Sequence, residues 1–204
     1  MVLKDLIKKY STSGPRYTSY PTAPQWIETL GGDAYREQLK KSFGGKTEPI
    51  ALYIHIPFCE ALCYYCGCNI QITKDHSRSR GYLQTLIREM HEVAKVIGTK
   101  QTLSQISWGG GTPTFLTVAE IEELHRATLD CFDVAPEAEV SIEIDPRVTT
   151  REQLLTLRKL GFNRVSLGVQ DFNPEVQQAI NRIQSVELTG DMLKFCREIG
   201  FEGI

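Results

Sequence analysis

Tyr53-Ile54-His55-Ile56-Pro57-Phe58-Cys59-Glu60-Ala61-Leu62-Cys63-Tyr64-Tyr65-Cys66-Gly67-Cys68-Asn69 decides how the chain is read. A short alternating strand, residues 51–56, leads into a loop that holds four of the six cysteines. Thiolates this close in sequence converge on one ion or one cluster, whereas structural disulfides usually tie distant segments together. Soft thiolates suit zinc or iron–sulfur centres. A closed zinc site normally takes two separated pairs of ligands, which one uneven run fits poorly. The C-x-x-x-C-x-x-C spacing places Cys59, Cys63 and Cys66 on one loop, each able to hold one iron of a cubane. The fourth iron is then left for a substrate or cofactor, because Cys68 follows too soon after Cys66 to reach it.

Outward from this loop, strand and helix alternate. Residues 81–97 carry Leu83, Leu86, Ile87, Met90 and Ala94 on one helical face. Strands are expected at 103–108, 139–144 and 164–169. Helices are expected at 118–132 with Thr117 as N-cap, at 151–160, near 174–181 and at 189–199. Four strand–helix alternations predict an α/β fold with a parallel sheet. Ile106 and Trp108 oppose Gln105, Ser107 and Gly109; Val140, Ile142 and Ile144 oppose Ser141, Glu143 and Asp145. Each strand therefore has an aliphatic side for helices and a small or polar side. A common β/α barrel fills its lumen with aliphatic side chains. This pattern predicts a partial (βα) barrel with a polar, roomy interior.

Residues 1–50 read as an irregular N-terminal arm with a short helix from Asp33 to about Phe43, and 51–204 as the first four βα units. Phe201-Glu202-Gly203-Ile204 has the look of a fifth strand beginning, so the chain is expected to be a fragment. The chain is 41% hydrophobic and 24% charged, with a net charge of −2, values of a protein that buries a core. No basic run points to nucleic acid, and no apolar run is long enough to span a membrane. Clustered cysteines without an export signal point to the cytoplasm. Cys131 and Cys196 fall on helical core stripes and read as buried, inert thiols.

Chemistry-bearing residues gather at strand carboxyl ends, where parallel α/β proteins place their sites. These are the cysteine loop, Gly109-Gly110-Gly111-Thr112 after the second strand, Glu143 and Asp145 on the third, and Gln170 and Asp171 on the fourth. The glycine run lacks dinucleotide and nucleotide-triphosphate patterns. By residue type alone, Arg182 reads as a solvated surface charge, and His76, His91 and His125 as surface or structural. His55 reads equally as a residue that orients the cysteine loop or as a hydrogen-bonded structural residue.

With Tyr65 as its aromatic, C-x-x-x-C-x-aromatic-C resembles the signature of radical S-adenosylmethionine (SAM) enzymes. Gly14-Pro15-Arg16-Tyr17-Thr18-Ser19-Tyr20-Pro21-Thr22, the Cys68-Asn69 extension, Trp108–Thr114, Ser141–Pro146 and Gly168–Asn173 look like the N-terminal part of the oxygen-independent coproporphyrinogen III oxidase family. Haem chaperones of the same superfamily are the alternative. The resemblance implies a partial radical SAM barrel and a [4Fe-4S] cluster on Cys59, Cys63 and Cys66. It also implies a first S-adenosyl-L-methionine contacted by Tyr53, Tyr65, Gly110 and Glu143, and a second contacted by Gly111, Thr112, Gln170 and Arg182. The implied reaction converts two propionates of coproporphyrinogen III to the vinyl groups of protoporphyrinogen IX. Its implied partners are that porphyrinogen, an electron donor and a final electron acceptor, with the protein a monomer. Arg16 is a candidate for holding a substrate carboxylate.

Overall fold

The computed structural model describes residues 4–11, 25 and 29–204; the Gly14–Thr22 segment, with Arg16, lies outside them. The chain forms two compact units, residues 1–38 and 39–204. The first contains helix α1, Lys4–Tyr10, and the beginning of α2, Gly32–Phe43. The second contains strands β1 (Ile50–Ile56), β2 (Phe58–Cys59) and β3 (Gln71–Ile72), helix α3 (Arg78–Ile97) and strand β4 (Thr102–Gly110). A single 3-10 turn, Pro113–Phe115, leads to α4 (Val118–Cys131), β5 (Asp133–Ile144), α5 (Arg151–Lys159), β6 (Arg164–Leu167), α6 (Pro174–Ala179) and α7 (Val186–Glu198).

The main sheet has the order β1-β4-β5-β6, with every pair parallel. Each strand places its aliphatic side under helices, as the alternation requires. Ile54, Ile56, Ile106, Trp108, Ile142 and Val165 are all buried against Leu83 of α3, Ile121 and Leu124 of α4, Leu154 and Leu157 of α5 and Cys196 of α7. Trp108 meets Phe162 edge to face, with centroids 5.1 Å apart, a favourable arrangement of ring quadrupoles. On the opposite side the contacts are polar: Ser107 Oγ lies 2.9 Å from Ser141 Oγ, and Gln105 donates to Glu139.

Caps fix where the helices start. Thr117 accepts from the Glu120 amide while the Glu120 carboxylate accepts from the Thr117 amide, and Thr150 with Gln153 repeats this reciprocal box. Each box satisfies two amides that the first turn leaves without partners. Strand β5 begins six residues before the expected position, because Asp133 and Val134 already pair with Thr102 and Leu103. Pro136, which cannot donate to a ladder, lies in the irregular stretch before Glu139 and hides that continuity. Strand β6 ends at Leu167 instead of 169; Gln170 turns into the left-handed region at φ 66°. Helix α7 starts at Val186, three residues before the expected 189, because Ser185 caps it by accepting from the Leu188 amide. Helix α3 starts at Arg78, three residues before the expected 81. The short parallel sheet of β2 and β3 was not expected, since two-residue strands carry no periodic signal. Gly203 bridges Arg164 of β6 in parallel, the position of a next strand. No described helix is long and apolar enough to cross a membrane.

Cys131 and Cys196 are buried, and burial pushes the Cys196 thiol up to about 11. Since the thiolate is the reactive form, iodoacetamide treatment of the metal-free native chain should modify exposed Cys68 first. Mass spectrometry should find Cys131 and Cys196 unmodified until urea unfolds the core.

Candidate functional site

The carboxyl ends of β1, β4, β5 and β6 meet at a cavity of about 520 Å³. Its position follows from the parallel register, which brings all four strands to the same edge. Of the residues singled out in the sequence, Cys59, Cys63, Tyr65, Cys66, Gly110, Gly111, Thr112, Glu143, Gln170 and Arg182 line it, together with Cys68, Asp145 and Arg147. Tyr53 is not among its lining residues. Its hydroxyl lies 3.2 Å from His55 Nδ1, and His55 Nε2 lies 2.8 Å from the Asn69 carbonyl. A carbonyl only accepts, so Nε2 carries the proton and, in the neutral ring, Nδ1 accepts from Tyr53. His55 thus ties the far end of the cysteine loop to β1 through hydrogen bonds.

The loop is held at several further points. The Thr73 amide donates to the Cys59 carbonyl at 2.9 Å, and the Cys66 amide to the Cys63 carbonyl at 2.9 Å. The Tyr64 amide donates to the Ile180 carbonyl at 3.0 Å, and Asn181 Nδ2 to the Leu62 carbonyl at 2.7 Å. Under the loop, Gly111 and Thr112 donate their amides to the Ile56 and Phe58 carbonyls, each at 2.8 Å. A Cβ on Gly111 would lie 2.7 Å from the Phe58 oxygen, and Gly110 adopts φ 117° with its Cα facing the His55 ring. The glycines are required by this close approach of two backbones. Glu143 Oε2 accepts from the Gly110 amide at 3.3 Å.

Charge concentrates around Asp145. Its carboxylate receives Arg147 Nε at 2.9 and 3.1 Å and Arg147 Nη2 at 2.6 Å, and Arg182 Nη1 approaches at 3.2 Å. Burial raises the Asp145 carboxyl, but the Arg147 hydrogen bonds and the Arg182 charge outweigh it, leaving the group below the ordinary carboxylate range. Arg182 is only 7% exposed, which corrects its reading as a solvated surface charge. Its Nη2 donates to the Gly168 carbonyl at 2.6 Å, while its buried Nε has no hydrogen-bond partner among the described residues. The Cys59 thiol is pushed up mainly by burial, against the Thr112 hydroxyl 3.4 Å away.

Among the described residues no three His, Cys, Asp or Glu side chains converge on a single metal ion. A mononuclear zinc site demands such convergence. A cluster does not, because each thiolate takes a different metal atom, and three thiols around one cavity suit it.

A family model described as the Radical SAM superfamily matches residues 53–204. The chain belongs to this superfamily. It is 46% identical over 203 residues to the oxygen-independent coproporphyrinogen III oxidase of Pseudomonas aeruginosa, covering 98% of this chain and 44% of that protein. To the Escherichia coli protein of the same name it is 45% identical over 196 residues, covering 96% and 42%. The solved structure of coproporphyrinogen III oxidase (HemN) from Escherichia coli, described as a radical SAM enzyme, matches with a TM-score of 0.84. That match has 42% sequence identity and covers 96% of this chain and 43% of that one. The chain therefore spans about 44% of the length of the curated relatives it matches.

Within this radical SAM fold, some site residues escaped the sequence reading. Arg147 reaches both Asp145 and Cys63, yet its position just after a strand carried no pattern. Asn181, at φ 54°, holds the cysteine loop from 119 positions away. His76 proves structural, stacked on Phe115 at 4.0 Å and bonded to Glu60 beside Cys59.

Asp145→Asn leaves two arginines facing an uncharged amide. At neutral pH it should destabilise the chain by about 3 kcal/mol, the lower end of the cost of breaking a buried ion pair. Because the folded pKa lies below the unfolded one, the Asp145 contribution is complete above the unfolded value and is lost as pH falls through the folded value. Urea titrations across the acid range should show that loss in the parent and not in Asp145→Asn.

Proposed function

We propose that the cavity holds a [4Fe-4S] cluster on Cys59, Cys63 and Cys66 together with S-adenosyl-L-methionine. The reaction served is oxidative decarboxylation of two propionates of coproporphyrinogen III to the vinyl groups of protoporphyrinogen IX. The observation that carries this reading is the meeting of three thiols from one loop, the Gly110–Thr112 segment and Glu143 on a single cavity at the strand ends. The likeness to oxidases of that name at 45% and 46% identity supports the substrate.

When bound, the cluster and the sulfonium supply one-electron bond cleavage and, through it, hydrogen-atom abstraction from an unactivated carbon. The remaining tasks fall to side chains of the chain. The Glu143 carboxylate, already oriented by the Gly110 amide, accepts from the ammonium or ribose hydroxyls of S-adenosyl-L-methionine. Tyr53 and Tyr65 contact the same molecule. Gly111, Thr112, Gln170 and Arg182 serve a second S-adenosyl-L-methionine, and Arg182 Nε, buried without a partner among the described residues, offers it a donor. The polar Ser107–Ser141 side keeps the interior open to a large polar ligand. Residues 51–204 carry these functions. An electron donor feeds the centre and a separate acceptor takes the electrons left by decarboxylation. The protein works as a cytoplasmic monomer.

Anaerobic reconstitution with iron and sulfide tests the reading. The chain should gain a broad brown absorbance that dithionite bleaches, and should release 5′-deoxyadenosine from S-adenosyl-L-methionine and CO2 from coproporphyrinogen. Cys63→Ala should lose absorbance and cleavage together. A coloured chain that binds haem and consumes no S-adenosyl-L-methionine overturns the proposal in favour of a haem chaperone.

A further inference from the structure

We infer that Arg147 is a positioning residue that raises the reduction potential of the iron–sulfur centre by donating an N–H to the Cys63 sulfur. The inference rests on the cluster reading above. Arg147 Nη2 lies 3.6 Å from Cys63 Sγ, and Arg182 Nη1 lies 3.7 Å from the same atom. The Cys59 sulfur, by contrast, faces a neutral hydroxyl of Thr112. Cys63 is also the buried member of the three thiols. One ligand of the centre is therefore singled out for two cationic donors.

The local geometry aims this donor. Arg147 grips both Asp145 oxygens through Nε and one through Nη2, which fixes the plane of its guanidinium. In that orientation Nη2, which carries a second hydrogen, stands beside the sulfur. The turn after β5 does not depend on this side chain: the Asp145 carbonyl closes it by accepting from the Val148 and Thr149 amides and the Thr149 hydroxyl. Two arginines against one aspartate leave a net positive charge next to Cys63.

One-electron reduction adds a negative charge to the centre, part of which resides on its sulfurs. Donors to a ligating sulfur and nearby positive charge stabilise that reduced state, and both are recognised levers on cluster potential. Burial strengthens the effect, since a side chain only 20% exposed is poorly screened. The centre must accept an electron from a low-potential one-electron donor, and Arg147 makes that transfer more favourable.

The test is a redox titration of the reconstituted chain with dithionite as electron source, followed by electron paramagnetic resonance. Iron content, sulfide content and brown absorbance are measured first and test the cluster reading alone. In Arg147→Gln with full cluster content, the midpoint should move to more negative potential. A tenfold fall in the reduced-to-oxidised ratio at the parent's midpoint corresponds to about 59 mV for one electron. Arg147→Lys keeps the charge and loses the fork, so its midpoint should fall between the two. If Arg147→Gln assembles no cluster, Arg147→Lys carries the test by its own shift. An unchanged midpoint in a fully loaded variant overturns the inference.

Discussion

Two backbone hydrogen bonds, from the Gly111 and Thr112 amides to the Ile56 and Phe58 carbonyls, govern where everything else at the strand ends can lie. They carry the β1–β4 pairing past the last residue of β4 and seat the start of the cysteine loop on the glycine run. A side chain at 111 would strike the Phe58 oxygen, so the approach demands glycine. Once the two backbones are in contact, Thr112 meets the Cys59 sulfur and the Gly110 amide faces Glu143. Hydrogen bonding within the sheet and the layout of the site are thus one arrangement.

The sheet divides the labour between its two sides. Helices pack on the aliphatic side, where Trp108, Ile142 and Leu124 are sealed from water. Serine hydroxyls, glycine and glutamine occupy the other, where hydroxyl pairs satisfy one another without filling space. Burial on one side therefore supports an open interior on the other. The charged trio of Asp145, Arg147 and Arg182 stands at the boundary, and its carboxylate is shared so that neither guanidinium is buried without a counter-charge.

Much of this was legible in the chain itself, for identifiable reasons. Period-two alternation revealed the strands and their two sides because helices cover only one of them. The cysteine spacing was legible because its three thiols share one loop. The cap at Thr117 was legible because its partner lies three residues away. What escaped depends on partners remote in sequence. Arg182 resembled a surface charge until Asp145 and Cys63 were seen around it. Arg147 carried no motif, and the pairing of Phe58–Cys59 with Gln71–Ile72 is too short for any periodicity. The early start of β5 was masked by Pro136, whose ring interrupts the ladder without ending the strand.

Asn181 links distant parts of the chain in a further way. Its backbone is held in the left-handed region, and its side chain secures the Leu62 carbonyl while the neighbouring Ile180 carbonyl secures the Tyr64 amide. A strained turn and an irregular loop, neither of them part of a regular sheet or helix, brace each other across 119 positions. Opening either one removes the partners of the other, so the two form a single cooperative unit of local unfolding. The two segments thus share one opening event, and the loop is only as long-lived as the turn that grips it.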